Sequence, residues 1–266
     1  MAESTAKLVR NQPQLGTSLA SRGAMIRHLV LLFLICVPAD LFGQPAPAPP
    51  PPRREGTAEF AFVGTTGNAS TQTLGIGGEY IYRPQIWVIR NRGAFVRSKA
   101  ESELTAQSLL YQSRAERALT PRLAAFGDYG YFRNRFAGIS NRNSVAGGLT
   151  YKLIELAAHQ LAVDSALGYL HEGRLIGEDT ASATYGAGAL YKWKLSDTAE
   201  VTDDARFLGT FANGDDWRVL QTAAVTARLT QLLSLKLSNV ISYVNAPVPG
   251  FKSTDTNTSV ALVAKF

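Results

Sequence analysis

Residues 181–194 set Ala181, Ala183, Tyr185, Ala187, Ala189, Tyr191 and Trp193 against Ser182, Thr184, Gly186, Gly188, Lys192 and Lys194 at alternate positions. Successive side chains of a strand point to opposite faces, so this pattern builds a strand with one apolar and one polar face. Residues 217–229 and 233–243 repeat it, with Trp217, Val219, Val225, Leu235, Leu237 and Ile241 on the apolar rows. The last residues repeat it again: Phe266, Ala264, Leu262, Val260 and Thr258 oppose Lys265, Ala261, Ser259, Asn257 and Asp255, and only Val263 breaks the rule. Rows this long and this regular describe strands whose outer face meets lipid.

From Thr57 onward the same reading finds about twelve alternating segments separated by turn residues, with no 3.6-residue period. Short connections fall near 83–85, 120–121, 156–159, 196–197 and 231–232, and longer polar ones near 134–143, 172–180 and 246–253. Bacterial barrels have short periplasmic turns and longer outer loops. The predicted fold is therefore all-β: a closed antiparallel transmembrane β-barrel of about twelve strands over 57–266, with both its ends in the periplasm. Phe266, an outward aromatic on the last strand, is the expected membrane-insertion signal, read by the barrel-assembly machinery.

Ahead of the barrel, Met25-Ile26-Arg27-His28 and the apolar residues 29–37 read as the charged and hydrophobic regions of a cleaved signal peptide. The apolar run is shorter than the roughly 20 residues of a spanning helix. Residues 1–43 are assigned to that region, with Met25 as an alternative start, and 44–56 to a disordered proline-rich leader. Cys36, the only cysteine, leaves with the signal. The net charge of +6 is spread along the chain without a basic, aromatic-interleaved stripe, so nucleic acid is not an expected partner.

Two segments resist the pattern. In strand three, 86–97, alternation puts Arg90 and Arg92 on the face of Ile86, Val88, Ala94 and Val96, which predicts a bulge. Counting from Phe207 puts Asp203 on the lipid side of strand nine, which predicts another bulge or a rim position. Aromatics near strand ends predict two girdles, one through Tyr82, Trp87, Tyr151, Tyr191, Trp193 and Phe266, the other through Tyr131, Tyr169, Phe211, Trp217 and Tyr243.

The inward rows carry the candidate lumen residues Glu79, Asp164, Lys192, Lys194, Asp204, Arg206, Arg218, Arg228, Lys236 and Lys265. Twelve strands fall between the about eight whose interior side chains fill and the about 16 to 18 that leave an aqueous channel. Lys192, Lys194, Arg228, Lys236 and Lys265 make the periplasmic half read as basic, so a water-filled pore is expected to favour anions. His171, beside Glu172 and on the strand of Asp164, is the lone candidate for a hydrolytic base, and no local motif supports it. His159 is placed in a periplasmic turn. The acidic pairs Glu178-Asp179, Asp203-Asp204 and Asp215-Asp216 lack ligand spacing, and neither a metal nor a cofactor is expected. The glycines at 75–78 and 186–188 lie inside strands and relieve crowding in the lumen; no helix follows them to make a phosphate loop.

Three blocks carry a family likeness: Thr66-Gly67-Asn68-Ala69-Ser70, Leu195-Ser196-Asp197, and Asn245-Ala246-Pro247-Val248-Pro249-Gly250-Phe251-Lys252-Ser253-Thr254-Asp255-Thr256 read together with Phe266. From about Thr57 to Phe266 the chain resembles the salt-induced outer-membrane proteins called domain of unknown function 481. The resemblance implies an outer-membrane barrel linked to salt stress and brings no catalytic residues. The expected protein is a non-enzymatic barrel of the bacterial outer membrane, surrounded by its lipid, acting as a narrow channel or as a structural envelope component in osmotic or salt stress. The competing readings are an outer-membrane hydrolase using His171 and a binding or adhesion module using its loops.

Overall fold

The computed structural model describes residues 51–65, 71–101 and 103–266; residues 1–43, expected to be a signal peptide, most of the proline-rich leader and the block at 66–70 lie outside the described residues. Twelve strands follow in order: β1 (Arg54–Thr65), β2 (Thr71–Tyr82), β3 (Trp87–Ala100), β4 (Glu103–Ala118), β5 (Leu123–Asn134), β6 (Ile139–Glu155), β7 (His159–Arg174), β8 (Thr180–Lys194), β9 (Ala199–Thr210), β10 (Trp217–Arg228), β11 (Leu233–Val244) and β12 (Thr254–Lys265). Each pairs with its chain neighbours and β1 meets β12, closing the sheet. Closure satisfies backbone donors and acceptors between strands, which is what allows a sheet to cross hydrocarbon. At the seam, Gly56 and Phe266 exchange backbone hydrogen bonds of 2.8 and 3.0 Å, and pairing continues from Thr57–Lys265 to Phe60–Leu262.

The side chains are arranged inside out relative to a soluble protein. Among the described residues none of the large side chains is fully buried, while Phe60, Phe62, Val145, Leu149, Leu167, Leu237 and Val260 stand exposed on the outward rows, Leu167 at 65%. An apolar exterior of that extent is a liability in water and is stabilised in a bilayer. Aromatic clusters mark both ends of the belt. Trp217 lies 5.1 Å from Tyr243 and Tyr185 5.0 Å from Phe211 toward the outer end, while His159 stacks 5.7 Å from Trp193 near the periplasmic end. His159 is thus the first residue of β7 rather than part of a turn, and its Nδ1 is 2.7 Å from the Tyr191 hydroxyl.

Three sequence expectations change. In β3 the pairing is regular from Trp87 to Arg97 and shifts only at Ser98/Lys99. Arg90 and Arg92 face the lumen together with Val88, Ala94 and Val96, because their register partners Ile81 and Glu79 do. The outward row is Trp87, Ile89, Asn91, Gly93 and Phe95; starting the count at Ile86, which lies in the turn, mistook a lumen row with apolar members for a lipid row. Asp203 needs no bulge either: β9 keeps its register with β10, and Asp203 faces outward with both carboxylate oxygens accepting from Gln221 Nε2 at 3.2 Å. Finally, β6 and β7 run into stretches read as loops at 134–143 and 172–180, leaving only 135–138 between β5 and β6. Asn141 and Asn143 share the outward row of β6 with Val145. Once a strand rises above the hydrocarbon both its faces are wet, and the alternation that reveals it disappears.

Candidate functional site: the charged lumen

The inward rows bring charges together in three tiers. Near the periplasmic end, Glu55 receives Lys265 at 3.0 Å and Arg83 at 3.1 Å, and Glu59 holds Lys236 at 2.7 Å. Lys194 reaches Asp197 in the turn at 2.8 Å, and Arg228 donates to the Asp197 carbonyl at 2.9 Å. The Lys194 ammonium holds the exposed Asp197 carboxyl below the usual carboxylate range, so their pairing is present at neutral pH and lost as acid protonates Asp197. Of the five cations expected to make the lower half basic, Lys236 and Lys265 are offset by β1, whose Glu59 and Glu55 sequence reasoning left unassigned, and Lys194 by the turn.

The middle tier centres on Arg114 of β4. Its guanidinium stacks 3.5 Å from the Phe126 ring, donates to Thr150 Oγ1 at 2.6 Å, and pairs with Asp128 at 3.2 Å, Glu116 at 3.3 Å and Asp164 at 3.7 Å. Arg206 pairs with Asp204 at 3.0 Å and Arg90 with Glu79 at 3.1 Å. Arg114, Glu116 and Asp128 were missed, although Gln112, Arg114 and Glu116 alternate with Tyr111, Ser113 and Ala115 and carry the period-two signal.

The outer tier is built on Glu172, whose side chain is 3% exposed. Its Oε2 accepts from Arg142 Nη2 at 2.6 Å and from Arg218 Nη1 at 2.8 Å, and its Oε1 from Arg174 Nε at 3.0 Å. Arg218 also pairs with Asp216 at 3.0 Å. One carboxylate thus ties β6, the end of β7 and β10 across the mouth. Sequence reading had placed only Arg218 here.

The ten candidate lumen residues, Glu79, Asp164, Lys192, Lys194, Asp204, Arg206, Arg218, Arg228, Lys236 and Lys265, all occupy inward register positions. Lys192, Arg228 and Arg92 form no salt bridge among the described residues, Arg228 donating only to a backbone carbonyl. His171 is paired with Asn143 on the outward row, whereas Glu172 and Asp164 face inward, so the strand itself separates the histidine from both carboxylates. Asp203 and Asp204 are parted in the same way, and no group of three potential metal ligands occurs among the described residues.

Among solved structures the chain is similar to a NanC porin, at 8% identity over 79% of this chain and 98% of that one with a TM-score of 0.48. It is also similar to the translocator domain of the autotransporter NalP from Neisseria meningitidis, at 14% identity over 93% and 95% with a TM-score of 0.44. OmpT of Vibrio cholerae follows at 9% identity over 80% and 96%, with a TM-score of 0.41. No curated protein matches the sequence. Closed, apolar outside and charged within, the chain has the architecture of a membrane-spanning β-barrel. The sequence profile of the family described as "Protein of unknown function, DUF481" matches residues 58–266, and the chain belongs to that family.

Proposed function

We propose that this barrel is a narrow outer-membrane channel that favours small anions and carries no enzymatic activity. The observation that supports it is that the inward cations Arg92 of β3 and Lys192 of β8, like Arg228 of β10, form no salt bridge among the described residues, in a lumen whose other charges are mostly paired. A cation left unpaired in a restricted, partly desolvated passage attracts anions and repels cations. In planar bilayers, wild type is expected to show discrete conductance with a reversal potential on the anion side, and the double variant Arg92→Glu/Lys192→Glu to move it toward the cation side. A reversal potential unmoved by that reversal of both charges contradicts the selectivity.

The Glu172 bridge favours a second reading, in which the barrel is closed and serves as a structural envelope component. Absence of any conductance step from correctly folded protein selects it. Two further parts belong to the proposal: insertion through recognition of β12 and Phe266 by the assembly machinery, and a role in osmotic or salt stress. Unimpaired growth of a deletion strain at high salt counts against the latter.

A further inference from the structure

The connection between β11 and β12, residues 245–253, does not stand up from the rim. Val248 is 4% exposed, and a Cβ built on Gly138 would lie 3.0 Å from Val248 Cβ and 2.8 Å from the Phe251 ring. Gly138 belongs to the β5–β6 connection, six strands away around a twelve-stranded barrel, so the two connections meet over the lumen. Beneath them lies the Glu172 tier. The seat requires glycine on two counts, a φ of 76° and the lack of room for a side chain.

The connection has the parts of a hinged strap. Its base is fixed where Val244 N–H donates to the Ser253 carbonyl at 2.8 Å and Asn245 N–H to the Trp217 carbonyl at 2.9 Å. Its tip is a turn closed by Phe251 N–H to the Val248 carbonyl at 3.0 Å, stiffened by Pro247 and Pro249 on either side of Val248. Beside it a cavity of about 460 Å³, lined by Arg174, Thr180, Asn213, Asp216, Pro247 and Pro249, leaves room on one flank. What holds the tip is the packing of Val248 and Phe251 on Gly138.

We propose that residues 246–251 form a lid that closes the outer mouth by seating Val248 and Phe251 on Gly138, and that conduction requires it to lift. The proposal rests on the channel reading. A first variant, Val248→Ser/Phe251→Ser, removes the apolar side chains that seat the tip and leaves Gly138 and the length of the connection as they are. A second variant replaces residues 246–251 by Gly-Ser-Gly, joining ends already held together at Val244 and Ser253. Folding of each is verified by heat-modifiable migration, and single-channel current is recorded in planar bilayers.

Removing the seated valine and phenylalanine is expected to raise open probability about tenfold or more, the shift that loss of well-buried side chains makes in a two-state equilibrium. Val248→Ser/Phe251→Ser, which keeps the connection but not its apolar seat, is expected to show the same rise as the shortened variant. If wild type conducts and neither variant changes its current, the lid is refuted and the channel stands. If neither wild type nor the shortened variant conducts, the lumen is closed below the lid, and both proposals fail.

Discussion

Glu172→Gln is expected to lower the unfolding free energy of the detergent-folded barrel by about 3–5 kcal/mol, the cost of breaking a buried ion pair by removing one partner. The magnitude is large because the carboxylate is 3% exposed and serves three guanidiniums. With a neutral amide in its place, Arg142 and Arg174 lose their ion-pair partner and Arg218 keeps only Asp216. Three cations then face one another with a single acid among them. A urea midpoint in detergent micelles, followed by heat-modifiable migration, measures the loss. The double variant Glu172→Gln/Arg142→Met is expected to recover part of it, since removing an uncompensated charge relieves what the single change created. A midpoint unchanged in Glu172→Gln would show that the bridge is solvated and contributes nothing.

The second large effect is expected at Gly148 of β6. A Cβ there collides with the carbonyl oxygen of Ser165 and comes within 2.8 Å of the Phe126 ring and 2.9 Å of Ala166 Cα. The first and last of these are backbone atoms of β7 and cannot rotate away. The ring cannot leave cheaply either, because the Arg114 guanidinium rests on it at 3.5 Å and holds three carboxylates. Overpacking a well-filled site costs about 1–3 kcal/mol; Gly148→Val also strains the β6–β7 pairing, so most of the protein is expected to fail to reach the heat-modifiable form. Gly127→Ala is the control. Nothing lies within 4 Å of a Cβ built there, and the folded yield should equal that of wild type.

Where the bilayer imposes a two-residue period, the strands were legible in sequence. Residues 181–194 and 233–243 announce both their faces because one row must be apolar to meet lipid and the other polar to meet a charged interior. The signal failed where that contrast weakens. Val88, Ala94 and Val96 share the lumen row of β3 with Arg90 and Arg92, and Asn141 and Asn143 of β6 rise beyond the apolar belt. Asp203 is polar on the outward row because Gln221 on the neighbouring strand satisfies it, a cross-strand partnership that no single strand displays.

The site was legible position by position but not pair by pair. Lys236 and Lys265 could be put on the inward face from β11 and β12 alone, yet their partners Glu59 and Glu55 lie on β1, 177 residues away for the first pair, and meet them only because the barrel closes. The same holds for Glu172 and Arg218, joined across the lumen between β7 and β10. His171 misled for the opposite reason: sequence adjacency to Glu172 suggested cooperation, and the pleat puts the two on opposite faces.

The most direct test of the architecture is a spin-label scan along β11. Single cysteines in a Cys36→Ser background at 235–243 are labelled, the protein is folded into lipid vesicles, and the accessibility of each label to oxygen and to a water-soluble nickel chelate is measured. Labels at Leu235, Leu237 and Ile241 are expected to favour oxygen, which dissolves in lipid, and those at Lys236, Ser238 and Ser242 to favour the chelate, alternating residue by residue. Accessibility that is uniform, or that repeats every three to four residues, contradicts a closed barrel with its charged face turned inward.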